Sequence, residues 1–180
     1  MKQASRYLEE ELKLTVNPQR TEVAHSRDGV KFLGMVIHTG YACIREKQVC
    51  GLKEKVRKMT RRNSPVNLEK VIKDLNPVLR GFANYFKAAN CKAVFKELAK
   101  WIRRRLRAKQ LKLWKEPKRL HRRLRQLGYK GEFDKIKMSC WRSSASPLAN
   151  YARSNDYLRE LGLFDLGRVQ TAATASSKRG

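Results

Sequence analysis

The sequence predicts a mainly α-helical fold, in which a helical bundle is preceded by a small α/β piece with a β-hairpin. Two observations support this fold class. From residue 46 to residue 128, apolar residues recur at spacings of three and four, the period of amphipathic helices. Before residue 46, short stretches rich in β-branched and aromatic residues alternate with turn dipeptides such as Thr39-Gly40. The chain has 180 residues, enough for one medium domain or two small ones.

The N-terminal piece is predicted to contain one helix and three short strands. The helix is expected at residues 2–13, and the strands at residues 21–25, 31–38 and 41–45. Thr39-Gly40 would be the turn of a hairpin between the last two strands. So small a sheet is only marginally stable by itself, and it resembles the edge of a larger structure.

The middle of the chain is predicted to form three helices. The first covers residues 49–62, and the second starts at Asn67 and ends at Leu75. Asn76-Pro77 reads as an N-cap followed by proline at the first helical position, which predicts a third helix that ends near residue 86.

The C-terminal half is predicted to contain two basic helices and one short helix. The basic helices are expected at residues 91–115 and 118–128, and residues 129–150 read as a loop. A short helix is expected at residues 155–161, with Gly162 just beyond its end.

The chain carries a strong positive charge. Its 42 Lys and Arg residues against 16 Asp and Glu residues give a formal net charge of +26. Hydrophobic residues make up 41% and aromatic residues 8%, more than a disordered basic tail would contain. A folded protein with this charge repels itself unless an anionic partner lies against it, and nucleic acid is the polyanion that this pattern favours.

Residues 101–125 are the most densely charged segment. Twelve of its twenty-five residues are Lys or Arg, and Glu116 is the single acid. Such a density of cations is not expected to be buried. Because a helix turns about 100° per residue, the arginines between Arg103 and Arg107 cannot all face one side, so we expect two or three of them to contact a partner. Trp101 and Trp114 are interpreted as packing anchors, with base stacking as the alternative.

The apolar pattern gives no sign of a membrane protein or a secreted one. No run of about 18 apolar residues is present, so we expect no transmembrane helix and no membrane partner. The N-terminus lacks the apolar core of a signal peptide. A cytoplasmic location is therefore expected.

The cysteines and histidines form no recognisable metal or catalytic motif. They contain neither a C-x-x-C pair nor zinc-ligand spacing, and no histidine has a nucleophile or carboxylate at a familiar spacing. We expect inert thiols, no metal site and no catalytic histidine. The residues concerned are Cys43, Cys50, Cys91, Cys140, His25, His38 and His121.

Five segments resemble, in order and spacing, the C-terminal part of bacterial group II intron reverse transcriptases. LNPVLRGFANYF at residues 75–86 resembles the signature of their maturase, or X, domain. LKLTVNPQRTEV at residues 12–23 resembles their late palm, and KFLGMVI at residues 31–37 resembles the strand where palm meets thumb. Residues 101–128 resemble the maturase helices, and residues 139–166 resemble the usual C-terminal end.

The resemblance implies a domain organisation and a function. It divides the chain into a palm-edge remnant (1–45), a helical thumb and maturase domain (46–128), a C-terminal maturase extension (129–166) and a disordered tail (167–180). In this family the thumb grips the template–primer duplex, and the maturase domain docks on intron RNA. The resemblance therefore implies an RNA-binding module, within a ribonucleoprotein, that assists intron splicing and mobility.

One departure from the family concerns the polymerase site. Family members polymerise DNA with paired aspartates that bind two Mg²⁺ ions, usually in a Tyr-x-Asp-Asp turn. This sequence has no Asp-Asp pair. We therefore expect the C-terminal third of such a protein: no catalytic residue, no cofactor, and Mg²⁺ only in a palm that this chain lacks. By this interpretation the chain is not an enzyme on its own, but a fragment of an RNA-directed DNA polymerase.

Two alternatives remain open at the level of sequence. The chain could be one half of a split RNA-directed DNA polymerase that acts in trans with a fingers/palm polypeptide. It could also be a decayed, non-specific nucleic-acid binder. The strand at residues 31–38 favours the first alternative, because unpaired strand edges seek partners.

The predicted RNA contacts are basic or amide side chains on helix faces that point away from the apolar stripes. Arg80 and Asn84 have an equal alternative as structural bridges. Phe82, Tyr85 and Phe86 are interpreted as core, although the Tyr85 hydroxyl could face RNA. The predicted set is Lys53, Arg57, Arg61, Arg62, Arg80, Asn84, Arg103, Arg104, Arg107, Lys112, Lys115, Arg122 and Arg123.

Overall fold

The computed structural model describes residues 27–114, 116–128 and 147–172, with a few single positions outside these ranges. The helix predicted at residues 2–13 and the strand predicted at residues 21–25 lie largely outside the described residues. Within them, the fold is mainly helical and a small antiparallel sheet precedes the helices, which confirms the predicted fold class.

The sheet is a three-stranded antiparallel meander. It consists of β1 (Val30–Phe32), β2 (Met35–His38) and β3 (Tyr41–Ile44), in that spatial order. Val30 pairs with Ile37, and Val36 pairs with Cys43.

The prediction of one continuous strand over residues 31–38 is wrong, because a two-residue turn divides it. Leu33 and Gly34 both have positive φ, 46° and 79°. Two positive φ values in succession are typical of the tight hairpin turns that match strand twist. A Cβ atom at Gly34 would also meet Nε2 of Gln48 at 2.9 Å, so glycine suits this position for two reasons. The predicted hairpin at Thr39-Gly40 is confirmed.

In the described ranges, six helices and one 3-10 helix follow the sheet. None of the helices in the described part of the chain is long and apolar enough to cross a lipid bilayer. The helices are α1 (Glu46–Met59), α2 (Leu68–Phe86), α3 (Lys92–Leu113), α4 (Pro117–Gln126), α5 (Pro147–Ala152), α6 (Asn155–Glu160) and the 3-10 helix Leu166–Arg168.

Helix α2 runs straight through Asn76-Pro77, so the predicted break at this dipeptide is wrong. Pro77 lacks an N–H and normally disfavours a helix interior. Leu75 and Leu79, on either side of it, are both buried in the core, which holds the backbone helical. Burial of these side chains therefore outweighs the local preference of the proline.

Asn76 does not cap a helix but joins α2 to the C-terminal segment. Its side-chain nitrogen donates to the carbonyl of Gly162 at 2.8 Å. Its side-chain oxygen accepts from the backbone N–H of Phe164 at 2.9 Å. One amide thus satisfies two backbone groups at the end of α6, with Gly162 at a φ of 85°.

The buried apolar side chains form two clusters. The main core lies among α1, α2 and α3, and it also receives Leu158, Leu163 and Leu166 from the C-terminal segment. The small core consists of Leu111, Trp114, Leu120, Leu124, Ala149 and Ala152.

Part of the loop predicted at residues 129–150 is helical. Helix α5 places Ala149 and Ala152 in the small core against α4. Residues 131–146 lie outside the described residues.

The segment after the 3-10 helix lies against the helices as far as residue 172. The N–H of Ala172 donates to the carbonyl of Lys87 at 3.0 Å, and the Asn90 side chain donates to the carbonyl of Ala172 at 3.0 Å. Within residues 167–172, which the sequence assigned to a disordered tail, Gly167, Arg168, Val169 and Ala172 have backbone N–H groups that donate hydrogen bonds. Residues 173–180 lie outside the described residues.

Candidate nucleic-acid interface

Helix α1 presents a row of cations because its other side is committed to the core. Leu52 and Val56 are buried, so the charged side chains between them point away from the main core. Arg57, Arg61 and Arg62 are exposed, and Lys53 is half-buried.

Trp101 on α3 joins this row to the next helix. The Arg57 guanidinium lies 5.6 Å from the Trp101 ring centroid, and the Arg105 guanidinium lies 5.4 Å from it. Cation–π contacts of this kind hold the planar guanidinium group against the ring. The contacts support the interpretation of Trp101 as a packing anchor. We call Lys53, Arg57, Arg61, Arg62, Trp101 and Arg105 the α1–α3 face.

Arg105 also fixes the end of α1. Its Nε donates to Oγ1 of the buried Thr60 at 2.8 Å, and Thr60 Oγ1 donates in turn to the carbonyl of Val56 at 2.6 Å. Burial, together with the nearby charges of Arg57 and Arg62, lowers the pKa of the Arg105 guanidinium. Among the described side chains, no carboxylate forms a salt bridge with these three arginines. The α1–α3 face is therefore a site of concentrated positive charge.

Lys109 is fully buried, which corrects the expectation that the basic segment 101–125 stays at the surface. Its Nζ donates to the carbonyls of Arg61 and Ser64, at 3.1 Å and 2.9 Å. Burial lowers the pKa of this amine. The ammonium group thus anchors the loop after α1, which carries Arg61 and Arg62. Sequence alone showed Lys109 as one more cation in a charged run.

Two of the predicted RNA contacts on α3 have intramolecular partners. Arg107 is buried, and its guanidinium donates to the carbonyl of Arg153 at 2.8 Å and to Oδ1 of Asn155 at 2.7 Å. Arg103 donates to Oδ1 of Asp165 at 3.2 Å in a largely shielded salt bridge. Both side chains tie α3 to the C-terminal segment, so we leave them out of the proposed interface.

The polar residues of the signature helix α2 divide into bridging and exposed groups. The Arg80 guanidinium lies 5.5 Å from the Phe164 ring centroid, in line with the bridging alternative. Tyr85 is exposed, and its hydroxyl donates to the carbonyl of Leu33 at 3.0 Å, which links α2 to the first turn of the sheet. Phe86 is buried, and Asn84 is exposed.

The remaining predicted residues lie on α3 and α4. Arg104 and Lys112 are exposed, and Lys115 lies outside the described residues. Arg122 and Arg123 line an open pocket of about 290 Å³ with Trp114, Arg119, Gln126 and Arg153.

The sequence prediction missed three residues of this pocket, namely Arg119, Gln126 and Arg153. Of these, Arg153 follows α5 and is the farthest away in the chain. Its guanidinium lies 5.0 Å from the Trp114 ring centroid and 4.2 Å from that of Tyr157. Trp114 is buried in the small core, in line with its interpretation as a packing anchor. No sequence signal marks Arg153, because it is far from α4 in the chain and meets α4 only through the packing of α5.

A known protein family matches the part of the chain that contains the helices carrying these charges. Residues 49–128 match the model of the family described as "Group II intron, maturase-specific domain". The match covers α1 to α4, apart from the first residues of α1. No curated protein matches the chain.

Proposed function

We propose that the chain binds folded group II intron RNA through the α1–α3 face, starting from the match of residues 49–128 to the model of the group II intron maturase-specific domain. The observation that carries the proposal is that Arg57 and Arg105 lie against Trp101, with the charge of Arg62 close to Arg105, and that none of the three has a carboxylate partner among the described residues. By binding there, the chain would hold the intron in its splicing-competent fold. Support for mobility of the element would be the further consequence in the cell.

Folded RNA fits the charge and the rigidity of this face. An RNA double helix has a deep, narrow major groove, so proteins recognise it mainly by shape and by phosphate and 2′-hydroxyl contacts. Arg57 belongs to a helix whose other side is buried, and Arg61 and Arg62 follow in a loop that Lys109 anchors. The backbone that carries these cations is therefore already ordered before phosphates bind, which lowers the entropic cost of binding.

We assign the RNA contacts to six of the predicted residues, which are exposed except for the half-buried Lys53. Lys53, Arg57, Arg61 and Arg62 supply the row on α1 and its following loop, and Arg104 and Lys112 extend it along α3. In this proposal Asn84 stays a candidate on α2, and Arg80 acts as a bridge to Phe164.

The test is a salt-dependent binding titration with two RNAs. A folded group II intron RNA is compared with an unrelated structured RNA of equal length. We expect the intron RNA to bind at least about tenfold more tightly near physiological salt, which corresponds to about 1.4 kcal/mol. Equal affinities with equal salt slopes would mean that only general charge attraction is present, and the proposal would fail.

A pair of double variants locates the contact. Arg61→Gln/Arg62→Gln removes two charges from the α1–α3 face, and Lys70→Gln/Lys73→Gln removes two exposed charges from α2. Each lost phosphate contact should reduce the slope of log K against log salt by about 1. We expect a reduction of about 2 for the first variant and a much smaller one for the second. Equal effects of the two variants would contradict the assignment to this face.

A fingers/palm polypeptide acting in trans is a second candidate partner, favoured by one observation. Phe32, Leu33, Ile37 and Tyr41 are large hydrophobic side chains of the sheet that remain exposed, and β1 is an edge strand in the described part of the chain. Exposed edges of this kind pair with other chains. Co-purification with such a polypeptide, lost in Phe32→Ser, would support this candidate; retention in the variant would count against it.

A further inference from the structure

The pocket between α4 and the end of α5 combines four arginines in a small volume. Arg119, Arg122, Arg123 and Arg153 line it together with Trp114 and Gln126, and its volume is about 290 Å³. Arg119 and Arg122 are exposed on α4, whereas Arg123 and Arg153 are half-buried at its inner side. No acidic side chain lines it among the described residues.

Two buried donors at this site have no hydrogen-bond partner among the described residues. Nε of Arg123 and Nε of Arg153 are both shielded from solvent, and neither donates to any described group. Buried donors in native proteins are nearly always paired, so a pair of unsatisfied guanidinium nitrogens needs a reason. A capacity to bind an anionic ligand is a sufficient one, because guanidinium N–H groups bind phosphate oxygens in a fork geometry.

Aromatic rings hold both inner arginines in place before any ligand binds. Arg153 lies over Trp114 and Tyr157, and Arg123 lies 5.3 Å from the Tyr157 ring centroid. Burial is the main cause that lowers the pKa of Arg153, and the charge of Arg123 lowers it as well. The two cations therefore repel each other across the site, and an anion between them would remove this repulsion.

We propose that this pocket binds one phosphate group of the RNA. The inference rests on the proposed function, and it adds a second contact, on α4 and α5, to the α1–α3 face. A phosphate inside a pocket is approached from several sides, so it has to project from the RNA, as at a strand end or a sharply turned backbone. Arg153 and Arg123 would donate from the inner wall, and Arg119 and Arg122 from the rim.

The first test observes the two Nε–H groups directly. The full chain is labelled with ¹⁵N, and the arginine Nε–H signals are followed by NMR while inorganic phosphate is added at constant ionic strength. The signals of Arg123 and Arg153, assigned with Arg123→Lys and Arg153→Lys, should shift and saturate. Shifts that stay linear, or that sodium chloride reproduces, would overturn the proposal.

Rim variants test the pocket without disturbing the small core. Arg119→Gln/Arg122→Gln removes two pocket charges at exposed positions, so folding should be unaffected, and phosphate affinity should fall by about tenfold or more. Lys118→Gln is the matched control, since Lys118 is exposed on the same helix and does not line the pocket. An effect of the control as large as that of the rim variant would reduce the site to general charge attraction and would overturn the proposal.

A third arm distinguishes RNA phosphate from free phosphate. An RNA oligonucleotide with a 5′-phosphate should shift both Nε–H signals at lower concentration than inorganic phosphate does, and the same oligonucleotide with a 5′-hydroxyl should need a higher concentration. A pocket that responds only to inorganic phosphate would contradict RNA as the source.

Intron RNA affinity then separates this inference from the proposed function. If Arg61→Gln/Arg62→Gln weakens binding of the intron RNA and Arg119→Gln/Arg122→Gln weakens it beyond the Lys118→Gln control, both proposals hold. If only the first variant has an effect, the pocket inference fails and the proposed function stands. If neither has an effect, the proposed function fails.

Discussion

The main core and the small core accommodate positive charge in different ways. Beside the main core, Arg105 and Lys109 reach inward and donate to Thr60 and to backbone carbonyls of the loop after α1. Beside the small core, Arg123 and Arg153 stack on aromatic rings and leave Nε atoms without partners among the described groups.

This difference indicates that a cation shielded from solvent can have one of two roles. A cation whose donors are all satisfied stabilises the fold, because removing it would leave carbonyls unpaired. A cation whose donors stay unpaired gives up some stability and keeps its binding capacity for a ligand. Arg105 and Lys109 therefore stabilise the end of α1 and its loop, whereas in our proposal Arg123 and Arg153 serve recognition next to α4.

The largest expected effect is a loss of stability, and it compares how much each of the two cores contributes to the stability of the chain. Leu75 is fully buried in the main core, and Leu75→Ala should lower the free energy of unfolding by about 2–5 kcal/mol, measured by urea denaturation. Leu124→Ala in the small core should loosen α4 and α5, while hydrogen exchange in α2 stays slow. If Leu124→Ala accelerates exchange in α2 as much as Leu75→Ala does, the two cores form one cooperative unit.

The next largest effect is expected at Lys109, the buried cation whose ammonium group donates to backbone carbonyls. Lys109→Met keeps the apolar stem and removes the donor to Arg61 and Ser64, so the free energy of unfolding should fall by about 2–3 kcal/mol. Lys112→Met, at an exposed position of the same helix, is the control and should change it by less than about 0.5 kcal/mol. Chemical denaturation measures both, and an unchanged Lys109→Met protein would refute the anchoring role.

A smaller effect is expected where α2 meets the C-terminal segment that also carries Arg153. Asn76→Ala removes the hydrogen bonds to Gly162 and Phe164, and stability should fall by about 1–2 kcal/mol. Asn84→Ala, exposed on the same helix, corrects for the higher helix propensity of alanine. Thermal unfolding compares the two, and equal melting temperatures would show that the Asn76 contacts contribute nothing.

The smallest expected effect is a pH dependence of stability, caused by a histidine next to the small core. Burial, with the charge of Arg125, lowers the pKa of His121 from its ordinary value of 6.5. Below pH 6.5 the unfolded chain therefore binds more protons than the folded chain, so stability rises as pH increases toward 6.5 and levels off above it. The melting temperature measured from pH 5 to 7.5 should show this slope, and His121→Gln should flatten it. A slope that persists in His121→Gln would assign it to another group.

Local patterns in the sequence predicted the helices better than the turns and breaks. The apolar stripes of α1, α3 and α4 and the end of α6 before Gly162 follow from spacing alone. The predicted helix break at Pro77 was wrong because burial of its neighbours in the main core outweighs the local effect of proline. The turn at Leu33-Gly34 was missed because an apolar run hides a turn that a single glycine makes possible.

The candidate site was predictable in its composition but not in its geometry. The exposed cations of α1 follow from the helical period, since every residue outside the apolar stripe faces away from the core. The burial of Lys109 and Arg107 depends on carbonyls that lie more than forty residues away in the chain. Arg153 reaches Trp114 only through tertiary packing, so no local pattern could assign it to the pocket.

Cys91 can report how often the contact between α2 and α3 opens. Its thiol is buried, lies 3.3 Å from the carbonyl of Phe86, and has its pKa raised, chiefly by burial, from 9.0 to about 11. An alkylating reagent needs exposed thiolate, so Cys91 should react only in molecules in which this contact has opened. The rate of modification at Cys91 would measure how often this contact opens, and would show whether bound RNA keeps it closed.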